Sequence, residues 1–179
     1  MTEVASVYGG ALYSLAKEEH ADGQILQELT ALQESFREEP DFLKLLASPN
    51  LTKAERCQVV DHSFRGKLHP YVLNFLKILT EKGYVRHFSG CCEAYTLQYN
   101  EDNGILPVTA VTALPLSEAQ AEKLKQKLGT ITGKQITLCS RIDPAVLGGI
   151  RLDYDGQRLD DTVSHRMDAL RELLRKTVL

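Results

Sequence analysis

The hydrophobic period of this chain changes once, near Asn100–Gly104, and that change dictates what can form on either side. Upstream, apolar residues recur every three or four positions, the period of helices that bury one face. Downstream they alternate or gather in Val- and Thr-rich runs, the period of strands. Asn100-Glu101-Asp102-Asn103-Gly104 between them is polar and turn-prone. The expected fold class is therefore α+β with two domains: an all-α six-helix bundle over 1–104 and a small α/β domain over 105–179, with a short sheet and helices.

Val4, Val7, Tyr8, Ala11, Leu12, Leu15 and Ala16 place a first helix at the start of the chain. Gly9 and Gly10 lie inside it, where each costs up to about 1 kcal/mol against alanine. They read either as drift on an exposed side or as a smooth groove for another helix. A second helix carries Ile25, Leu26, Leu29, Leu32 and Phe36, and Pro40 opens a short third one. Thr52-Lys53-Ala54-Glu55 is a capping box for a fourth, which Gly66 closes. Pro70 starts a fifth with Val72, Leu73, Phe75, Leu76, Ile78 and Leu79, apolar around most of its circumference and ended by Gly83. A sixth carries Val85, Phe88, Cys91, Cys92, Tyr95 and Tyr99. The first and fifth helices thus have apolar residues to spare after one core is filled.

In the second half, Ile105–Ala113 reads as a strand, with Pro107 at its beginning or on an edge. Ser117-Glu118-Ala119-Gln120 is a second capping box, and its helix is expected to bury Ala121, Leu124, Leu128 and Ile131 before Gly133 ends it. Residues 135–142 alternate as a strand. Asp143-Pro144 then opens a turn, and Gly148-Gly149 allows positive φ or close backbone approach. Ile150, Leu152 and Tyr154 alternate up to Asp155-Gly156, a type I′ hairpin signal. Asp160-Asp161-Thr162 supplies an N-cap for a terminal helix with Val163, Met167, Leu170 and Leu174.

Several function classes find no support. The net charge is −3 and there is no basic run, which argues against duplex nucleic acid or an anionic membrane surface as partner. No apolar run approaches the roughly 20 residues that span a bilayer. The start has no basic and apolar leader, so the chain is expected to stay where it is made and to meet a membrane only through a partner. Cys57, Cys91, Cys92 and Cys139 fit no disulfide framework and no zinc spacing, and read as reduced thiols. Cys57, His62 and His69 match no metal motif. Asp153, Asp155, Asp160 and Asp161 lack the Gly and Glu positions of a calcium loop, and a hairpin turn with an N-cap accounts for all four. Gly148-Gly149 lacks the phosphate-loop context. The expectation is no catalytic residue, no cofactor and no metal.

Asp143, Pro144, Gly148, Gly149, Ile150, Leu152, Gly156, Leu159, Asp160 and Arg166 together resemble the C-terminal signature of the δ subunits of F-type ATP synthases, whose mitochondrial counterpart is the oligomycin-sensitivity-conferring protein. Tyr8-Gly9-Gly10-Ala11-Leu12 resembles that family's opening Tyr-Ala-x-Ala-Leu, with Gly9 replacing alanine. Asp161 and Ser164 depart from the family pattern, which has a small and a basic residue there. The resemblance implies a bacterial, non-catalytic peripheral-stalk subunit on the cytoplasmic face of the cell membrane, supporting proton-driven ATP synthesis. It also implies two partners: the α-subunit N-terminus, held as a helix between the first and fifth helices, and the b-subunit stalk dimer, held by the C-terminal domain. Tyr8, Ala11, Leu12, Leu15, Leu76 and Leu79 are the expected groove residues. An unrelated two-domain adaptor and a small α/β enzyme are the alternatives; a filled sheet face would speak against the enzyme.

Overall fold

The computed structural model describes residues 2–48, 50–146, 148–163 and 165 of an α+β chain that divides into two compact units, Met1–Tyr99 and Asn100–Leu179. The first unit is built from α1 (Glu3–Glu18), α2 (Asp22–Glu38), α3 (Pro40–Leu46), α4 (Lys53–Phe64), α5 (Pro70–Lys82) and α6 (Phe88–Asp102). Local chemistry sets most of their ends. Thr52 and Glu55 form the reciprocal capping box of α4, with the Thr52 N–H donating to Glu55 Oε2 at 2.8 Å. Pro40 and Pro70 open α3 and α5, where a missing N–H costs nothing. Gly83 ends α5 in the left-handed conformation, at φ 76°. The sixth helix starts later than its apolar spacing suggests, because Val85–His87 forms a 3-10 turn ahead of Phe88.

The core of this unit joins Leu12 and Ala16 of α1 to Ile25 and Leu29 of α2, Val60 of α4, Val72, Leu76 and Leu79 of α5, and Phe88 and Tyr95 of α6. Phe36, Phe42, Phe64 and Phe88 pack as a connected aromatic cluster. The buried Tyr95 hydroxyl donates to the Asp22 carbonyl at 2.9 Å, so its polar end is satisfied. Gly9 belongs neither to an exposed side nor to an open groove. It is buried against α6, and a Cβ there would stand 2.4 Å from the Cys91 carbonyl oxygen. The glycine serves helix packing inside the bundle.

The second unit holds β1 (Ile105–Thr112), α7 (Glu118–Thr132), β2 (Gln135–Ile142), β3 (Ile150–Tyr154) and β4 (Gln157–Asp160). The sheet order is β2-β1-β3-β4. β1 and β2 run parallel and are joined through α7, while β1–β3 and β3–β4 are antiparallel. Leu106, Val108 and Ala110, Ile136 and Leu138, and Ile150, Leu152 and Tyr154 share one face, as the register requires. That face packs with Leu116, Leu124 and Leu128, so it is filled.

One expectation needs correction here. Ile131, in the last turn of α7, is 80% exposed and borders a shallow surface recess with Lys123, Gln126, Lys127 and Thr130. Pro107 lies near the start of β1, on an edge that is still open. Pairing with β3 begins only at Val108, and the Gly104 carbonyl accepts the Gln135 N–H. The parallel ladder therefore turns the nitrogen of position 107 away from β2, toward a side where no strand has yet begun.

The Asp143–Asp160 stretch folds as a return loop. Asp143 Oδ1 accepts the Ala145 N–H at 3.0 Å, and Asp160 Oδ1 accepts the Thr162 N–H at 3.0 Å. Thr162 Oγ1 in turn accepts the His165 N–H at 3.2 Å. The chain after β4 runs back along the glycine pair, with the Val163 N–H donating to the Gly148 carbonyl and the Asp161 N–H to that of Ile150. Gly149 has φ 84°, and a Cβ on it would stand 2.4 Å from the Asp161 carbonyl oxygen. Asp155 and Gly156 have φ 47° and 70°, as a type I′ turn demands. Arg166, Met167, Leu170 and Leu174 lie outside the described residues.

These two glycines separate conformational cost from steric cost. Gly156→Ala meets nothing within 4 Å and should cost about 1–2 kcal/mol for the left-handed backbone alone. Gly149→Ala should cost clearly more, because a backbone carbonyl must also move. Urea midpoints of the two variants check this; equal losses would refute the close-approach account.

Candidate partner-binding surface

α1 and α5 are antiparallel neighbours. Tyr71, in the first turn of α5, lies 3.2 Å through its hydroxyl from Glu19 Oε1 just past the end of α1. Beyond the other end of α5, Tyr84 packs edge-on against Tyr8 in the second turn of α1, with ring centroids 5.9 Å apart. Hydrogen bonding to Glu19 raises the Tyr71 phenol above its ordinary value, which keeps it a neutral donor across this contact.

Helical spacing then assigns the faces. Tyr8, Leu15 and Glu19 are seven and four residues apart, so they share one stripe of α1, and Ala11 lies between them at i+3 from Tyr8. On α5, Tyr71 and Ile78 are seven apart and share the stripe toward α1. Leu15 is 48% and Ile78 44% exposed, Ala11 is exposed and Tyr8 half-buried. The seam between the two helices therefore carries accessible apolar side chains from both, after the core beneath has been filled.

Leu12, Leu76 and Leu79 do not join this surface. They are 4%, 2% and 0% exposed and sit in the bundle core. The fifth helix is apolar on nearly all sides, so its spacing alone does not separate Leu76 and Leu79, which face inward, from Ile78, which faces out. Ile78 is the seam residue that the sequence reading left out. The signal available was its seven-residue offset from Tyr71.

The far side of α5 is anchored to α4. Asp61 pairs with Lys77 and with Arg65, and the hydrogen bond from Lys77 is the main reason its carboxyl is held below the usual carboxylate range. Lys77 is thus engaged away from the seam.

The motif of the second unit carries loop geometry. Asp143, Arg151, Asp160, Thr162 and His165 border a polar recess of about 180 Å³. Asp160 is kept below its ordinary range by the Thr162 hydroxyl and N–H, in keeping with its role in the turn. Pro144, Gly148 and Gly149 shape the backbone near it, while Gly156 lies in the turn at the other end of the β3–β4 hairpin. Among the described residues, no group of three His, Cys, Asp or Glu side chains is placed to hold a metal ion.

Three comparisons bear on this arrangement. The family model described as ATP synthase delta (OSCP) subunit matches residues 4–174. Among curated relatives, a protein named ATP synthase subunit delta from Alkaliphilus oremlandii is 29% identical over 176 residues, covering 98% of each chain. One of the same name from Lacticaseibacillus casei is 30% identical over 172 residues, covering 96% of this chain and 94% of its own. Among solved structures, a chain of the Toxoplasma gondii mitochondrial ATP synthase hexamer shares the fold, at a TM-score of 0.77 and 20% identity over 97% of this chain and 98% of that one.

The thiols report on the same packing. Burial pushes Cys91 up to about 11 and Cys92 up to about 12, so both stay protonated and unreactive near pH 8. Cys139 is exposed on β2, and Cys57 is intermediate. A thiol reagent at pH 8 should modify Cys139 first and Cys57 more slowly, reaching Cys91 and Cys92 only in denaturant. Fast modification of either buried thiol in the native chain, read by peptide mass, would contradict the packing of α6.

Proposed function

This chain belongs to the ATP synthase delta (OSCP) subunit family, and from that premise we propose that its α1–α5 seam clasps an amphipathic helix from the N-terminus of an α subunit. It is a peripheral-stalk subunit of an F-type ATP synthase, supporting ATP synthesis and ion transport. In this reading its own role is non-catalytic: it links the catalytic head to the b-subunit stalk dimer, so that the head does not turn with the rotor. The second unit holds the stalk, and the exposed Leu114 and Ile131 are apolar side chains available there for cover. Among the described residues no helix is long and apolar enough to cross a membrane. Contact with the bilayer then runs through the complex, at the cytoplasmic face of the bacterial cell membrane. In this reading the boundary between the two units, at Tyr99–Asn100, separates the head-binding from the stalk-binding part.

The observation that carries this reading is the half-exposed apolar stripe on both sides of the seam: Tyr8, Ala11 and Leu15 on α1, and Ile78 on α5. A helix laid in a groove is read by anchors three, four and seven residues apart, and the stripe offers that spacing. Covering such side chains yields roughly 25 cal/mol per Å² of apolar area, against the cost of association. Leu12, Leu76 and Leu79 support the groove from beneath.

Calorimetric titration of the full chain with an α-subunit N-terminal peptide tests this. Ala11→Asp and Leu15→Asp should each weaken binding at least tenfold, about 1.4 kcal/mol, while leaving the thermal midpoint nearly unchanged. Leu76→Ala should instead lower stability by about 2–5 kcal/mol, as buried leucine truncations do. Unchanged affinity in the two α1 variants, or their unfolding, would overturn the assignment.

A further inference from the structure

β2 forms one outer edge of the sheet, and among the described residues it pairs only with β1. It is 8 residues long, and its register with β1 runs unbroken from Gln135 to Ile142, with no bulge and no proline. The opposite edge, β4, has only 4 residues. Proteins blunt an edge by keeping it short, by kinking it or by charging it. β2 is neither short nor kinked, and Arg141 is its one charge.

The ladder with β1 leaves a defined set of groups over. The Gln135 N–H donates to the Gly104 carbonyl and the Asp143 N–H to that of Thr112, so the odd-numbered residues bond toward β1. Ile136, Leu138, Ser140 and Ile142 therefore turn their N–H and C=O groups to the open side. Two copies of this edge match each other about a two-fold axis through Cys139. Ile136 then lies opposite Ile142 of the second copy and Leu138 opposite Ser140, and every outward group is bonded. Ile142, 53% exposed, gains an apolar neighbour. Arg141 falls opposite Thr137, which keeps the two like charges apart. A slide of the pairing in one direction brings in Pro144, which has no N–H to donate, and a slide in the other sets Lys134 against Ile142.

We propose that the free chain forms a two-fold dimer by pairing β2 antiparallel with β2 of a second copy, with Cys139 on the axis. In such a pair the odd-numbered residues occupy the non-hydrogen-bonded positions, where opposite Cα atoms are about 4.5 Å apart, within the span of a disulfide. Cys139 is exposed in the single chain, so its thiol reports the register. Oxidation takes one proton and one electron from each thiol and forms one S–S bond, and diamide accepts both protons and both electrons. The dimer uses none of the side chains assigned to the α subunit or to the stalk, so it and that reading can fail separately.

Sedimentation velocity of the reduced full chain at rising concentration should show a dimer that builds up by mass action. Cys139→Lys sets two cations face to face at an exposed position and should abolish it, whereas Cys139→Thr should retain it. Diamide should cross-link the parent chain through Cys139, read by peptide mass. Thr137→Cys and Arg141→Cys, each in a Cys139→Ser chain, should cross-link with one another roughly tenfold faster than either does with itself, because only the mixed pair is held face to face. A chain that stays monomeric, or a Cys139→Lys variant that dimerises as well as its parent, would overturn the proposal. So would equal cross-linking rates for all these cysteine pairs, which mean chance collision.

Discussion

The contact of Gly9 with the backbone of α6 governs the first unit. With no Cβ at that position, α1 can lie against the Cys91 carbonyl, and this close approach fixes how α1 is rotated about its own axis. Ala5, Leu12, Tyr13 and Ala16 then turn inward with Gly9. Once those residues are committed, the 3.6-residue period leaves Tyr8, Ala11 and Leu15 no position except the side next to α5 or solvent. The seam surface therefore follows from a packing decision on the opposite side of the same helix. Gly90 facing Ala5, 3.0 Å from a would-be Cβ, reinforces the same approach.

Keeping a seam apolar yet open requires that its two helices neither close over it nor drift apart. A hydrogen bond at one end and an aromatic contact at the other bracket it. Tyr71 and Glu19 meet at one end and Tyr8 and Tyr84 at the other, while Asp61 ties α5 back to α4 through Lys77. Individually such surface contacts are weak. Their value is positional, because they bracket the apolar stretch instead of interrupting it.

Most of this was legible in the sequence where one local rule had no competitor. The capping boxes at Thr52 and Ser117, the prolines at 40 and 70, and Gly83 and Gly133 each fix an end through backbone chemistry that no tertiary contact overrides. The Asp155-Gly156 turn was readable for the same reason. Faces were harder. α5 carries apolar residues almost all round, so the choice between Leu76, Leu79 and Ile78 is made by α1 and α4, which are far away in sequence. Ile131 misled in the opposite way: its spacing continues the Leu124–Leu128 stripe, yet it stands exposed in the last turn of α7.

The shape of the seam also says how a partner helix would sit. Val7, Ala11 and Leu15 form an i±4 ridge on α1, with a small residue between two larger ones. A ridge with a low middle is a notch, and helices pack by setting a side chain of one into such a depression of the other. A bulky apolar residue of the incoming helix would lie over Ala11 and be flanked by Leu15 and Tyr8, with Ile78 closing the far side. Gly9 of the opening motif is small so that α6 can come close within the chain, and in the proposed complex Ala11 would serve the same end for the incoming helix.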